Sequence, residues 1–319
     1  MRTLTVNKND AGQRLDKFLS KAVPTLPGSL MYKLIRTKKI KVNRKRTEHT
    51  YFLCEGDTVE LFIKEEFFEN TVETSALKLT PHIDVIYEDE NIMLCDKRAG
   101  MIVHSDDKES TNTLISHITA YLYQKGEYDP SKENSFAPAL CNRIDRNTGG
   151  IVIAAKNAQT LRIMNEKIKN RELKKKYLAA VHGIFKEKEG LLKGYLIKDQ
   201  KTNTVKVFEV QPKFGDAKKI VTGYRVVAEK NGLSLLEVDL ITGRTHQIRA
   251  HMSSIGHPLL GDGKYGVNRE DKQSGYKYQA LYSYSLEFCF TGDSGILEYL
   301  NERKFEINED KIWFCREFQ

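Results

Sequence analysis

Residues 141–157 read CNRIDRNTGGIVIAAKN. The second half, Ile151 to Ala155, is a short apolar run with β-branched residues, bounded by glycines and a polar pair, and it predicts a dry, buried strand. Gly149 and Gly150 permit positive φ and let another backbone or a ligand come close. Ahead of them Asn147-Thr148 must turn sharply, and Asp145 stands between Arg143 and Arg146. An Asp on a loop fixed by a buried strand is held rigidly, as a working carboxylate must be. The plainer reading is a surface Asp paired with Arg143 or Arg146.

Working outward, further β-rich runs are expected at 83–87, 92–96, 177–182, 221–227 and 234–241. Helical patterns fall at 113–123, 157–170 and 245–255. Strands at irregular spacing with few helices between them predict an α+β domain on a mixed, mostly antiparallel sheet, not a doubly wound parallel one. The C-terminal NERKFEINEDKIWFCREFQ ends in apolar residues expected to pack back on this domain.

The N-terminal fifth differs in character. RLDKFLSKAV (14–23) places Leu15, Phe18, Leu19 and Ala22 on one helix face. SLMYKLIRTKKI predicts a second short helix capped by Ser29. KIKVNRKRT reads as a strand turning at Asn43-Arg44, and GDTVELFI (56–63) as the strand returning. Residues 1–64 hold 14 Lys and Arg against 6 Asp and Glu, a net +8, and +8 is also the formal charge of the whole 319-residue chain. The excess is therefore local, and a local positive field attracts polyanions. Lys33, Arg36, Lys38, Lys39, Lys41, Arg44, Lys45 and Arg46 cluster where the helix meets the hairpin; a solvated face without a partner is the bland alternative. Residues 65–80 lack periodicity and read as a linker, giving units of 1–64 and 81–319.

Hydrophobic content of 40% and 29% charged residues are ordinary for a globular protein. Apolar runs fall short of the roughly eighteen residues a membrane helix needs, and MRTLTVNKND lacks a signal-peptide core. Five scattered cysteines without a C-x-x-C pair predict a reduced, cytoplasmic protein. A monomer with no membrane partner is expected.

Two other stretches carry candidate chemistry. In LITGRTHQIRAHMSSIGHPLLGDGKYG (240–266), Thr245 is expected to cap a helix on which His246 and Arg249 share a face. His246 and His251 lie five apart, not the four of a helical zinc pair, so no metal is assigned. The Gly- and Pro-rich end of the stretch suits an active-site rim. ELKKKYLAAVHG (172–183) delivers Tyr177 at the head of an apolar strand, where a core residue is the bland expectation.

Together these stretches resemble the RluA branch of the pseudouridine synthases, RNA enzymes of which one type acts on large-subunit ribosomal RNA. NRIDRNTGGIVIAAKN resembles the family's catalytic loop, KKKYLAAVHG its second motif, and GRTHQIRAHMSSIGHPLLGDGKYG its third, with DKRAGMIVH (96–104) resembling the opening motif. The resemblance spans roughly 80–290. RLDKFL with LIRTKKIKVN is similar to the RNA-binding domain named after ribosomal protein S4, although Met31 and Tyr32 stand where basic or small polar residues are common.

The resemblance implies that Asp145 is the catalytic aspartate. Tyr177 would lie against the target uracil and take part in removing the proton from C5. Arg249 would pair with Asp145, and Arg143 would help hold the displaced nucleotide's place in the RNA. It also implies RNA contacts by Asn142 and His246. Departures are Arg98 for a common Pro, Asn142 for His, Gly149 for Ser, and Tyr282 where His is frequent; Asp145, Tyr177 and Arg249 remain.

The implied reaction breaks the N1–C1′ bond of uridine, turns the base and rejoins it through C5. No electrons or groups leave, so neither metal nor cofactor is required. A carboxylate is required, as nucleophile or as the base that starts ribose elimination. A cation within about 4–6 Å would favour its ionised form. The base must leave its stack, at a cost of a few kcal/mol. Large-subunit ribosomal RNA is the expected partner, with transfer RNA the alternative substrate. A non-catalytic RNA-binding or ribosome-assembly protein on the same fold is the competing function. A glycoside hydrolase would need a second carboxylate near Asp145, and none stands out.

Overall fold

The computed structural model describes residues 1–68, 77–104, 111–266 and 268–319. The central part of the 65–80 segment, residues 69–76, lies outside the described residues.

The N-terminal part is a three-stranded antiparallel sheet of β1 (Arg2–Thr5), β2 (Ile40–Val42) and β3 (Thr58–Leu61), in the order β1-β3-β2. Against it pack α1 (Leu15–Ala22) and α2 (Gly28–Arg36). Leu15, Phe18 and Leu19 are fully buried with Ile40, Val59 and Leu61. Each such side chain contributes about 1.5–3 kcal/mol relative to exposure. The hairpin turn after β2 is at Asn43-Arg44, with φ of 50° and 64°, the paired positive values that suit right-twisted strands. β1 was not anticipated, because Arg2–Thr5 is mostly exposed and shows no clean alternation. Ser29 does not cap α2. The cap position is Pro27, whose carbonyl accepts from Met31 N at 2.9 Å, and Ser29 already lies inside the helix. Glu65–Phe68 forms a 3-10 turn, and Phe67 and Phe68 pack on this core.

The remainder forms one mixed sheet of eleven strands: β4 (Asp84–Glu88), β5 (Ile92–Lys97), β6 (Ala139–Leu140), β7 (Gly149–Ala155), β8 (Leu173–His182), β9 (Glu189–Asp199), β10 (Thr204–Phe208), β11 (Lys218–Lys230), β12 (Leu233–Asp239), β13 (Leu281–Phe288) and β14 (Lys304–Glu306). The order is β10-β9-β11-β12-β8-β13-β7-β5-β4, with β14 beside β13 and β6 beside β7. Among the described residues β13–β7 is the parallel pairing. This is the expected α+β class. α3 (Leu114–Gln124), α4 (Ala158–Lys169), α5 (Gln247–Ser254) and the short α6 (Asn268–Gln273) complete the unit. Among the described residues no helix is long and apolar enough to cross a membrane.

β7 is buried along its whole length, as its composition demands. Its alternate side chains feed two cores: Ile151 and Ile153 join the cluster around Leu178, Phe288 and Phe314, while Val152 and Ala154 meet Leu114, Ile118 and Leu122 of α3. The C-terminal apolar residues Ile312, Phe314 and Cys315 close the first cluster, as expected.

The parallel pairing is possible only because two glycines begin β7. Their register partners are Tyr282 and Ser283 of β13. A Cβ on Gly150, which has φ +112°, would sit 2.2 Å from the backbone oxygen of Ser283, and one on Gly149 2.4 Å from the Tyr282 ring. Ser283 in turn pairs with Tyr177 of β8. The glycines thus bring the Asp145 loop to within one intervening strand, β13, of the strand that carries Tyr177.

The two parts of the chain meet through a polar clasp. Asp10, with no exposed surface, accepts from Asn134 Nδ2 and Ser135 Oγ, each at 2.6 Å. Gln13 Nε2 donates to Ser135 Oγ at 2.7 Å, and Arg162 Nη1 to Ala11 O at 3.1 Å.

Gly150→Ala should lower stability far more than Gly126→Ala, which shares positive φ (+76°) but has open space around the new methyl group. The second change carries backbone strain of about 1–3 kcal/mol; the first adds overlap with backbone that cannot move aside. Urea-unfolding midpoints check this, and equal midpoints would show that β7 can shift away from β13.

Candidate active site

The Asp145 loop is tied down at four points. Ile153 N donates to Asn142 Oδ1 at 2.7 Å, so Asn142 is committed to the backbone of β7 through its side-chain oxygen. Thr148 N donates to Asp145 O at 3.0 Å, closing the turn. Gln279 Nε2 reaches Thr148 Oγ1 at 3.1 Å. The fourth point is Lys97, fully buried at the end of β5, whose ammonium donates to the carbonyls of Arg98, Met101 and Arg146 at 3.0, 2.7 and 2.9 Å. Burial pushes Lys97 down to about 7, with Asp145 and Asp96 opposing the shift. A neutral amine has only two N–H groups, so three carbonyl acceptors favour the full ammonium. Lys97 therefore knots the 98–101 turn to the Asp145 loop.

Arg249 projects from α5 with 7% of its surface exposed. Its Nε and Nη2 each donate to Asp262 at 2.7 Å, a bidentate pair, and its Nη1 donates to Asp145 Oδ2 at 2.8 Å. Asp262 is completely buried and also accepts from Lys264 N and Tyr265 N at 2.9 and 3.2 Å. Burial alone would raise the Asp262 pKa, but the guanidinium and these N–H groups hold it below its usual value. Burial likewise disfavours the Arg249 cation, yet Asp262 and Asp145 keep it above its ordinary range. Arg249 is thus a permanent buried cation, paired as such groups must be. Its remaining nitrogen faces Asp145, which keeps 24% of its side-chain surface open.

The start of α5 corrects one expectation. Thr245 is not the cap; the cap position is His246, in the left-handed region at φ 52° and without a side-chain cap bond. Gln247 reaches back instead: its Oε1 accepts from Arg244 N at 3.1 Å and Thr242 Oγ1 at 2.9 Å. His246 is therefore off the helix, but the turn aims its Nε2 to 3.8 Å from Asp145 Oδ2. Burial lowers its pKa, opposed by Asp145 and assisted by Arg249, so the ring is neutral near pH 7. Its Nδ1 shares a 2.9 Å hydrogen bond with Tyr265 Oη, and the Tyr265 ring lies 5.2 Å from the Arg249 guanidinium.

Tyr177 is 5% exposed among Ala179, Leu236 and Val238, so it packs as a core residue. Burial pushes its phenol up to about 12; a Ser283 hydrogen bond opposes this and the Asp145 charge adds to it. It is a neutral phenol near pH 7, within electrical reach of the carboxylate.

The structure thus brings Asp145, Arg249, His246 and Tyr177 together. Arg143 is exposed on the same loop, near enough to His104 to depress that ring's pKa after burial has done so. Lys33, Arg36, Lys38, Lys39 and Arg44 belong to the separate N-terminal part. All five are exposed, and among the described residues none has a carboxylate partner within 4.0 Å. Sequence reasoning did not single out Asp262, Tyr265 or Lys97. An Asp between glycines in a loop signals a turn more often than a buried ion pair, and a lysine in a strand signals a solvated face.

Comparison with known proteins adds an independent line. The chain matches the RNA pseudouridylate synthase family over residues 91–254. It is 34% identical over 289 residues to an uncharacterized RNA pseudouridine synthase from Mycoplasma genitalium, covering 89% of this chain and 88% of the relative. It is 30% identical over 271 residues to ribosomal large subunit pseudouridine synthase C from Buchnera aphidicola, covering 84% and 82%. The solved human RNA pseudouridylate synthase domain containing 4 has the same fold at 21% identity, with a TM-score of 0.54, covering 70% of this chain and 88% of its own. A glycine-started central strand, an Arg-tethered carboxylate and these matches converge: the chain belongs to the RNA pseudouridine synthase family, isomerases that act on RNA.

Proposed function

We propose that this protein isomerises uridines of large-subunit ribosomal RNA in the cytoplasm, with Asp145 as the catalytic carboxylate and an S4-like module, residues 1–64, as its grip on the RNA. The observation that carries the reading is the Asp262–Arg249–Asp145 chain, which holds a partly open carboxylate within electrical reach of a buried phenol. Relatives named as ribosomal large subunit synthases support the choice of RNA.

The steps follow from those groups. The target base leaves its stack and enters between Tyr177 and the Asp145 loop, with basic contacts and aromatic surface offsetting the unstacking. Asp145 acts on the ribose, and the N1–C1′ bond breaks. Attack at C1′ and elimination from the sugar both demand a carboxylate fixed at that end of the nucleotide. The base turns and C5 bonds to C1′ as the carboxylate is returned to its starting form, by release from C1′ or by giving back its proton; the C5 proton then departs to solvent and N1 takes one up, so atoms balance. Arg249 is a positioning residue: already saturated by Asp262, it orients Asp145 without needing to reorganise. Arg143, on the exposed side of the loop, contacts RNA. Asn142 and His246 serve the loop and its neighbour more than the RNA, since Asn142 Oδ1 is taken by Ile153 N and His246 Nδ1 by Tyr265. Lys33, Arg36, Lys38, Lys39 and Arg44 meet the RNA backbone.

The test is incubation with unmodified ribosomal RNA followed by pseudouridine mapping. Wild type should convert discrete uridines; tight binding with no conversion would make the protein a binding module instead. Asp145→Asn should abolish conversion and leave RNA affinity within about twofold; substantial residual turnover removes Asp145 from its role. Tyr177→Phe keeps the ring and should slow turnover by about 10²-fold. Full activity would reduce Tyr177 to an aromatic wall.

Deleting residues 1–64 should weaken binding and flatten its salt dependence. Every phosphate that the shortened protein no longer neutralises lowers the slope of log K against log salt by about 0.9 for duplex or 0.7 for single strands. An unchanged slope would mean that the RNA is held elsewhere.

A further inference from the structure

Beside the basic face, α2 and the segment 46–49 enclose a pocket of about 300 Å³. Its lining includes Tyr32, Ile35, Arg36, Arg46, Glu48 and His49. Each wall has a fixed point. The 49–53 segment is pinned to the start of α1 by Asp16 N to His49 O at 3.1 Å and Leu15 N to Tyr51 O at 2.8 Å. Tyr32 is anchored through its hydroxyl, which donates to Asp16 Oδ2 at 3.2 Å. Asp16 is itself 3% exposed and gripped by Arg14 Nε and Nη2 at 3.1 and 2.7 Å. The His49 and Tyr32 rings meet at 88°, with centroids 5.2 Å apart.

The result is an oriented aromatic ring that stays 47% exposed. A tyrosine serving only the core would be covered, as Leu15 and Phe18 are. Among the described residues Arg36 and Arg46 have no carboxylate within 4.0 Å, even with Glu48 in the same lining. Two unpaired guanidiniums around a rigid π-face suit a planar ring that carries phosphates. The volume is at the lower end of small-ligand sites and admits one base, not a base pair. Bases in an A-form duplex are stacked and their deep groove is closed to side chains, so the ring that enters must be unpaired.

We propose that this pocket binds one unpaired nucleobase of the RNA, stacked on Tyr32, with its flanking phosphates on Arg36 and Arg46. This rests on the reading of residues 1–64 as the RNA grip. It adds to that reading a recognition of RNA shape: a basic face alone accepts any phosphate backbone, whereas a stacking pocket demands a loop or bulge within reach of it. Met31 is buried, so of the two departures from the S4-like pattern only Tyr32 can meet a ligand.

The test uses the full chain, unmodified large-subunit ribosomal RNA, and a fully paired RNA of plain sequence as control. Tyr32→Leu keeps apolar bulk over Asp16 and removes the ring. It should weaken binding to ribosomal RNA about tenfold, the scale of one base–aromatic stack. Its salt slope should stay at the wild-type value, and its affinity for the duplex should not change. Tyr32→Phe keeps the stacking face but loses the hydroxyl's hold on Asp16, and should bind more tightly than Tyr32→Leu; a loss equal to that of Tyr32→Leu overturns the stacking site. Arg36→Gln with Arg46→Gln should reduce the salt slope on ribosomal RNA. Wild-type affinity of Tyr32→Leu, or an equal loss on the duplex, overturns the stacking site. If deletion of 1–64 weakens binding while Tyr32→Leu does not, only the stacking site falls; if the deletion changes nothing, the grip and the pocket fall together.

Discussion

A buried guanidinium saturated on one side by a buried carboxylate governs the centre of this molecule. Asp262 has no contact with solvent and takes two of the Arg249 donors, so the cation is paid for before any substrate arrives. What remains on the open side is Nη1, one of whose N–H groups is aimed at Asp145. A lone Arg–Asp pair at this depth would be free to trade partners or to draw in water; a three-membered chain with a sealed end has one arrangement. Tyr265 reinforces it twice, through its ring face toward Arg249 and its hydroxyl toward His246.

The sheet supplies the second requirement, nearness. Gly149 and Gly150 let β7 lie against β13 where any side chain would overlap backbone or ring. Because Ser283 pairs both ways, the register runs from Gly150 through Ser283 to Tyr177. Strand packing, not loop flexibility, thus sets how far the carboxylate is from the phenol. The occupancy of position 282 by tyrosine fits the same geometry: its ring fills the space above Gly149, and its hydroxyl donates to Asp96 at 2.5 Å. Gly149 and Tyr282, both departures from the family pattern, are one packing solution.

Much of this was legible beforehand. The apolar run after Gly150, the amphipathic face of 14–23 and the Asn43-Arg44 turn are local signals, and each became the element it implied. The family motifs located Asp145, Tyr177 and Arg249. What stayed hidden was non-local. β9 and β10 alternate exposed lysines with small or half-buried residues, so their period is blurred. The β13–β7 adjacency depends on register across more than a hundred residues. Asp262 lies in a glycine-rich loop that carries no sign of its burial, and Lys97 looks solvated until its three carbonyl partners are in view. The start of α5 misled because Thr245 is a good cap by type, while the chain turns through a left-handed His246 and Gln247 reaches back to hold the preceding Arg244 N–H.

The clasp between the two parts of the chain has a geometric consequence. Asp10 is sealed between Asn134 and Ser135, and separating the parts would give up these hydrogen bonds to a charged group, each worth about 1.5–3 kcal/mol. Such a joint behaves as a caliper: the span from the basic face to the reaction centre is set by the protein, not by the nucleic acid. On the proposed reading of residues 1–64 as the RNA grip, a transcript is measured before it is modified, and one whose tertiary shape fits that span presents its uridine at the Asp145 loop.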